Sequence, residues 1–122
     1  MPGKKILIID DEPEIVKLIS LRLKANGYEI ITGTNGEEAL SLTKEYHPDL
    51  VILDVMMPAP NGYKVCRMIK DGLETAHIPV ILLTAKTSES DKFWGKEAGA
   101  DEYLMKPYNP EELLSSIKRL TG

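Results

Sequence analysis

Five strand-like apolar runs, each four or five residues long and each followed by a stretch of helical periodicity, restrict this chain to an alternating α/β architecture. The runs are Lys5–Ile9, Glu29–Gly33, Leu50–Leu53, Val80–Thr84 and Glu102–Met105. A greasy run this short, closed by polar residues, reads as a strand buried on both faces of a parallel sheet. Between the runs, Ile15, Leu18, Ile19 and Leu23 lend a first helix its apolar stripe, with Pro13 near its first turn and Gly27 past its end. Asn35 reads as the N-cap of a second helix, followed by Glu37, Glu38, Ala39 and Leu40. A third helix is expected from about Tyr63 to Lys70, with Val65, Met68 and Ile69 available for burial. A fourth covers about Ser88 to Ala98 and stops at Gly99. The fifth opens at Asn109-Pro110-Glu111-Glu112, a cap, a proline at the first helical position and two acids facing the positive helix end. It is expected to bury Leu113, Leu114, Ile117 and Leu120.

Short connections between such units require right-handed crossovers, which cover both faces of the sheet with helices. Five strands and five helices suit the flavodoxin-like, doubly wound order 2-1-3-4-5, whose switch point lies between the first and third strands. At 122 residues the chain can bury one core and not two, so a single domain over residues 1–122 is expected. A net charge of −4 with no basic stripe argues against direct nucleic-acid binding. No apolar stretch approaches membrane-spanning length, and the N-terminus lacks a signal-peptide core, so no membrane partner is expected. The lone Cys66 cannot form an internal disulfide, which fits a reducing, cytoplasmic setting. His47 and His77 stand apart beside or near prolines and read as surface residues rather than metal ligands.

Two of the runs end in acid: Asp10-Asp11 after the first and Asp54 after the third. In the order 2-1-3 these strands are neighbours, and the carboxyl ends of such strands are where open α/β sheets bind ligands. Three carboxylates gathered there repel one another unless a cation joins them. That geometry points to metal-dependent phosphate chemistry.

From about Lys4 to Leu120 the chain resembles the receiver domains of two-component response regulators. The resemblance rests on Asp10-Asp11-Glu12, Leu53-Asp54-Val55-Met56-Met57-Pro58, Leu83-Thr84-Ala85, Gly99-Ala100-Asp101-Glu102-Tyr103 and Met105-Lys106-Pro107. Each motif is short; all five in this order and spacing are specific. The resemblance implies that Asp54 is the phosphoacceptor, taking a phosphoryl group from a histidine kinase, a phosphotransfer protein or a small phosphodonor. It implies Mg²⁺ held directly by Asp11 and Asp54, by Asp10 mainly through water, and by the backbone carbonyl of Met56. Lys106 and Thr84 would face the phosphoryl oxygens. Three carboxylates set against Mg²⁺ and Lys106 then sum to zero charge. Thr84 and Tyr103 would form a switch acting on a face of fourth helix, fifth strand and fifth helix, which controls an output partner or domain. Trp94 and Tyr103 would lie on that face, with Phe93 turned to the core and Trp94 to solvent. Such a chain is a signalling domain, catalysing only its own phosphorylation and dephosphorylation.

Taken singly, these residues have plainer readings. Asp11 alone could cap the first helix, although Asp10 beside it would then be superfluous. Lys106 alone is a solvated lysine, Thr84 a β-branched strand residue, and Trp94 a partly buried surface residue. The sequence also departs from the family, with Ala59-Pro60-Asn61-Gly62 where methionine-aspartate-glycine commonly follows the proline, and Tyr108 at a position usually held by phenylalanine. Rival classes are disfavoured by particular residues. A haloacid-dehalogenase-type phosphatase wants an acid two residues after its nucleophile, where Met56 stands. A flavodoxin-like electron carrier needs a first loop that cradles phosphate, which Asp10-Asp11-Glu12 would repel. A phosphorylation-independent interaction module of the same shape would go unlabelled by a small phosphodonor in Mg²⁺.

Overall fold

Period-two alternation splits every central strand between two cores in the computed structural model of the chain, which describes residues 3–84, 96–106 and 108–122. Strands β1 (Lys5–Ile9), β2 (Glu29–Gly33), β3 (Leu50–Asp54), β4 (Val80–Thr84) and β5 (Glu102–Met105) form one parallel sheet in the order β2-β1-β3-β4-β5. This is the flavodoxin-like order anticipated above. Leu7 and Ile9, Val51 and Leu53, and Val80 and Leu82 face one side. There they pack with Ala39 of α2 (Gly36–Tyr46) and with Val65, Cys66 and Ile69 of α3 (Gly62–Asp71). Ile6, Ile8, Ile52, Ile81 and Leu83 face the other side, beneath Ile19 and Leu23 of α1 (Pro13–Ala25) and Leu113 and Ile117 of the C-terminal helix (Pro110–Thr121). With helices on both faces, β3 and β4 are buried at every residue, which is why they read as unbroken apolar runs.

Four helices occur among the described residues. Most of the expected fourth helix, including Phe93 and Trp94, lies outside them, as do Ala85 and Pro107. Three helices start on asparagine caps: Asn35 accepts from the Glu38 N–H, Asn61 from Lys64, and Asn109 from both Glu111 and Glu112. Helix α1 starts differently. Glu12 stands at its N-cap without a side-chain cap bond, and Asp10 Oδ1 instead accepts the Glu12 N–H at 2.9 Å.

Two residues expected on apolar faces point outward: Leu18 is 57% exposed and Met68 46%. The sheet covers only a narrow arc of each helix. Ile15, Ile19 and Leu23, spaced by four, occupy that arc on α1, and Leu18 falls beside it. Leu114 and Leu120 are partly buried at the margin of the second core.

Gly62 fixes how α3 leaves β3. Its N–H donates to the Val55 carbonyl at 3.2 Å, and a Cβ there would stand 2.5 Å from the Asp54 carbonyl oxygen and 2.7 Å from Val55 Cα. Backbone cannot yield to that contact as a flexible side chain would. Gly62→Ala should therefore destabilise the fold by about 1–3 kcal/mol, measured by urea unfolding. Unchanged stability would mean that α3 moves away from the strand end at no cost.

Candidate functional site

Register brings the acids together. Ile9 pairs with Leu53, so β1 and β3 end level, and Asp10 and Asp54 emerge side by side. Both are buried, at 2% and 1% exposure. Asp10 Oδ1 is engaged by the Glu12 N–H and Asp54 Oδ1 by the Met56 N–H at 3.1 Å. One oxygen of each carboxylate is thus used by its own loop, and each second oxygen meets Lys106. The lysine arrives from the end of β5, where its N–H donates to the Thr84 carbonyl at 2.8 Å. Its Nζ lies 2.9 Å from Asp10 Oδ2, 3.1 Å from Glu12 Oε1 and 3.5 Å from Asp54 Oδ2. Thr84 is fully buried at the end of β4 and pairs with Met105.

The electrostatics follow from burial. Desolvation pushes the Asp54 carboxyl up to about 6, and the nearby Asp10 charge adds to it, while the Met56 N–H and Lys106 pull it back. Burial works against the Lys106 charge, yet Asp10, Glu12 and Asp54 more than offset it and hold the ammonium above the ordinary lysine range. At neutral pH the site therefore contains an ionised Asp54 carboxylate beside a fixed cation.

One lysine does not satisfy this cluster. Asp10, Asp11, Glu12 and Asp54 can each bring a carboxylate oxygen within 4.8 Å of the others. Lys106 bonds Glu12 with hydrogen-bond geometry, but its contact with Asp10 Oδ2 is an ion pair without it. That buried oxygen finds no hydrogen-bond donor. Hard oxygen donors, excess negative charge and an oxygen lacking a donor fit a divalent cation of the Mg²⁺ kind.

The other candidates sort themselves by position. Asp11 is exposed at the rim of the cluster. The Met56 side chain is 55% exposed. Tyr103 lies on β5, partly buried against the first core. Both histidines are exposed and stand outside the acidic cluster. Cys66 is buried in the first core, donates to the Ala98 carbonyl at 3.4 Å, and has its thiol pushed up to about 12 by burial, so it is inert. Sequence reasoning missed Glu12 as a partner of Lys106, and it missed Tyr63, whose hydroxyl meets that of Tyr103 at 3.3 Å. Pairs separated by 94 and 40 residues leave no periodic signal in a sequence.

Known proteins share this fold and much of this sequence. The sequence model of the response regulator receiver domain matches residues 6–118. The alkaline phosphatase synthesis transcriptional regulatory protein PhoP of Bacillus subtilis is 43% identical over 118 residues, which are 97% of this chain and 48% of PhoP. The chain thus spans about half the length of the curated relatives it matches. Among solved structures, the chemotaxis response regulator CheY4 of Vibrio cholerae superposes with a TM-score of 0.90 at 35% identity, covering 97% of this chain and 98% of that one. The receiver domain of the sensor histidine kinase PA1611 from Pseudomonas aeruginosa, solved with a magnesium ion coordinated in its active site cleft, superposes with a TM-score of 0.91 at 28% identity and covers 98% of both chains.

Proposed function

The chain belongs to the response regulator receiver family, and from that premise we propose that it accepts a phosphoryl group on Asp54 and passes the change to a partner. The observation that carries this reading is a buried, ionisable Asp54 set at a strand end beside Asp10 and Lys106. The ionised carboxylate attacks phosphorus, forming a new P–O bond and an acyl phosphate. The P–N bond of a donor phosphohistidine, or the P–O bond of a small acyl phosphate, breaks as the leaving group takes the electron pair. Lys106 turns from Asp10 and Glu12 toward the new phosphoryl oxygens, which carry about two negative charges in place of one. The Thr84 hydroxyl donates to the same group.

Asp11 and Asp54 would hold Mg²⁺ directly, with the Met56 backbone carbonyl, and Asp10 would act mainly through water. When bound, the ion supplies the positive charge that offsets repulsion between the carboxylate and the incoming phosphoryl group. Support comes from the all-oxygen donor set and from Asp10 Oδ2, which lacks a hydrogen-bond donor. The donor partner is a histidine kinase or phosphotransfer protein of the cytoplasm. Tyr103 and Thr84 relay phosphorylation to the face that carries β5 and the C-terminal helix, where an output partner or domain docks. The domain signals and does not turn over a separate substrate.

Acetyl phosphate with Mg²⁺ should add one phosphoryl group in a linkage cleaved by base and by hydroxylamine, and chelation of the metal should stop the labelling. Mass spectrometry of the intact chain reads both arms. A protein that binds Mg²⁺ yet stays unlabelled would instead be a phosphorylation-independent interaction module.

A further inference from the structure

We infer that Tyr63 is a positioning residue of the switch, its hydroxyl holding the Tyr103 ring against the first core in the arrangement that phosphorylation of Asp54 favours. Tyr103 sits on the edge strand β5, paired with Leu82 of β4, and both face the first core. Thr84, two residues beyond Leu82, has the same parity and so the same side of the sheet. Tyr63 stands in the first turn of α3, which packs over β3 and β4. A hydroxyl contact of 3.3 Å between the two tyrosines directs the Tyr103 hydroxyl toward the start of α3, on the side of the sheet where Thr84 lies.

The far end of that contact is rigidly based. Tyr63 follows Gly62, whose N–H is bonded to the Val55 carbonyl and which lies so close to the end of β3 that a Cβ there would stand 2.5 Å from the Asp54 carbonyl oxygen. Asn61 caps the same turn through the Lys64 N–H at 3.0 Å. A displacement of the chain at Asp54 and Val55 is thereby carried to the Tyr63 ring, and from its hydroxyl to Tyr103. Both rings are partly buried against the first core, so ring packing persists when a hydroxyl is removed. The contact between the hydroxyls is lost, and a link of this kind shifts a two-state equilibrium severalfold without disrupting the fold.

This inference rests on the reading of Asp54 as phosphoacceptor and Tyr103 as switch, and the test separates the two. Tyr63→Phe, Tyr103→Phe and the double variant are compared with the parent for binding of beryllofluoride in saturating Mg²⁺, and for Tyr103 ring resonances in metal-free protein. Tyr63→Phe should weaken beryllofluoride binding by about 3–10-fold and shift the Tyr103 ring signals before any ligand is added. Tyr103→Phe should weaken binding too, and the double variant should lose less than the sum of the two single losses, because the bond between the hydroxyls is counted in both. Parental affinity and unshifted Tyr103 signals in Tyr63→Phe would overturn the inference while Asp54 labelling stood. Losses that simply add would overturn it too. Failure of the parent itself to bind beryllofluoride or to be labelled would remove both readings.

Discussion

Asp54→Asn is expected to lose labelling by acetyl phosphate by at least about 100-fold, since an amide in place of the carboxylate has no anionic oxygen to attack phosphorus. The substitution keeps the shape of the side chain and an oxygen able to accept the Met56 N–H, which now bonds Oδ1 at 3.1 Å. Loss of labelling would therefore report chemistry rather than collapse of the loop. Circular dichroism and an unchanged amide spectrum away from the site check that the fold persists. Labelling of the variant at the parental rate would move the nucleophile elsewhere, with Asp10 as the next buried carboxylate to test.

The same substitution should stabilise the metal-free protein at pH 7 by on the order of 2 kcal/mol, because it removes a charge that burial disfavours. The sign follows from Asp54, whose folded value of about 6 lies above its ordinary 3.8. A carboxyl raised in this way contributes stability that is fully present below about pH 4 and is lost as pH rises through about 6. Parent stability should fall across that window, and the variant should lack this component. Urea unfolding at several pH values in chelator measures both. Mg²⁺ should then reverse the order at neutral pH: a ligand that binds only the folded state stabilises it, and the parent offers the full carboxylate set. Equal stabilisation of parent and variant by Mg²⁺ would mean that Asp54 is not a ligand.

Much of this molecule was legible because its signals are local. The five strands were visible as short apolar runs, since strands covered on both faces need no polar alternation. The starts of α2 and of the C-terminal helix were marked by Asn35 and Asn109, whose side chains satisfy backbone N–H groups two or three residues away. The acids after β1 and β3 were conspicuous because a carboxylate directly after a greasy strand has few structural reasons to be there. Asn61 caps α3 in the same local way, accepting from the Lys64 N–H after the unusual Ala59-Pro60.

What the tertiary structure alone decided are distances between segments remote in the chain, and the burial those distances create. Leu18 and Met68 had the right character for a core, and only the arc of sheet beneath each helix turned them outward. Lys106 could be expected near Asp54, but its triangle with Asp10 and Glu12 follows from the register of β1, β3 and β5. The raised carboxyl of Asp54 comes from desolvation between two covered faces, a property of packing that its neighbours in sequence do not carry. The meeting of Tyr63 with Tyr103 belongs to the same class. Periodicity and capping act over a few residues and are written in the sequence; electrostatics and side-chain contact depend on distance in space, which exists only once the sheet has set its strands in order.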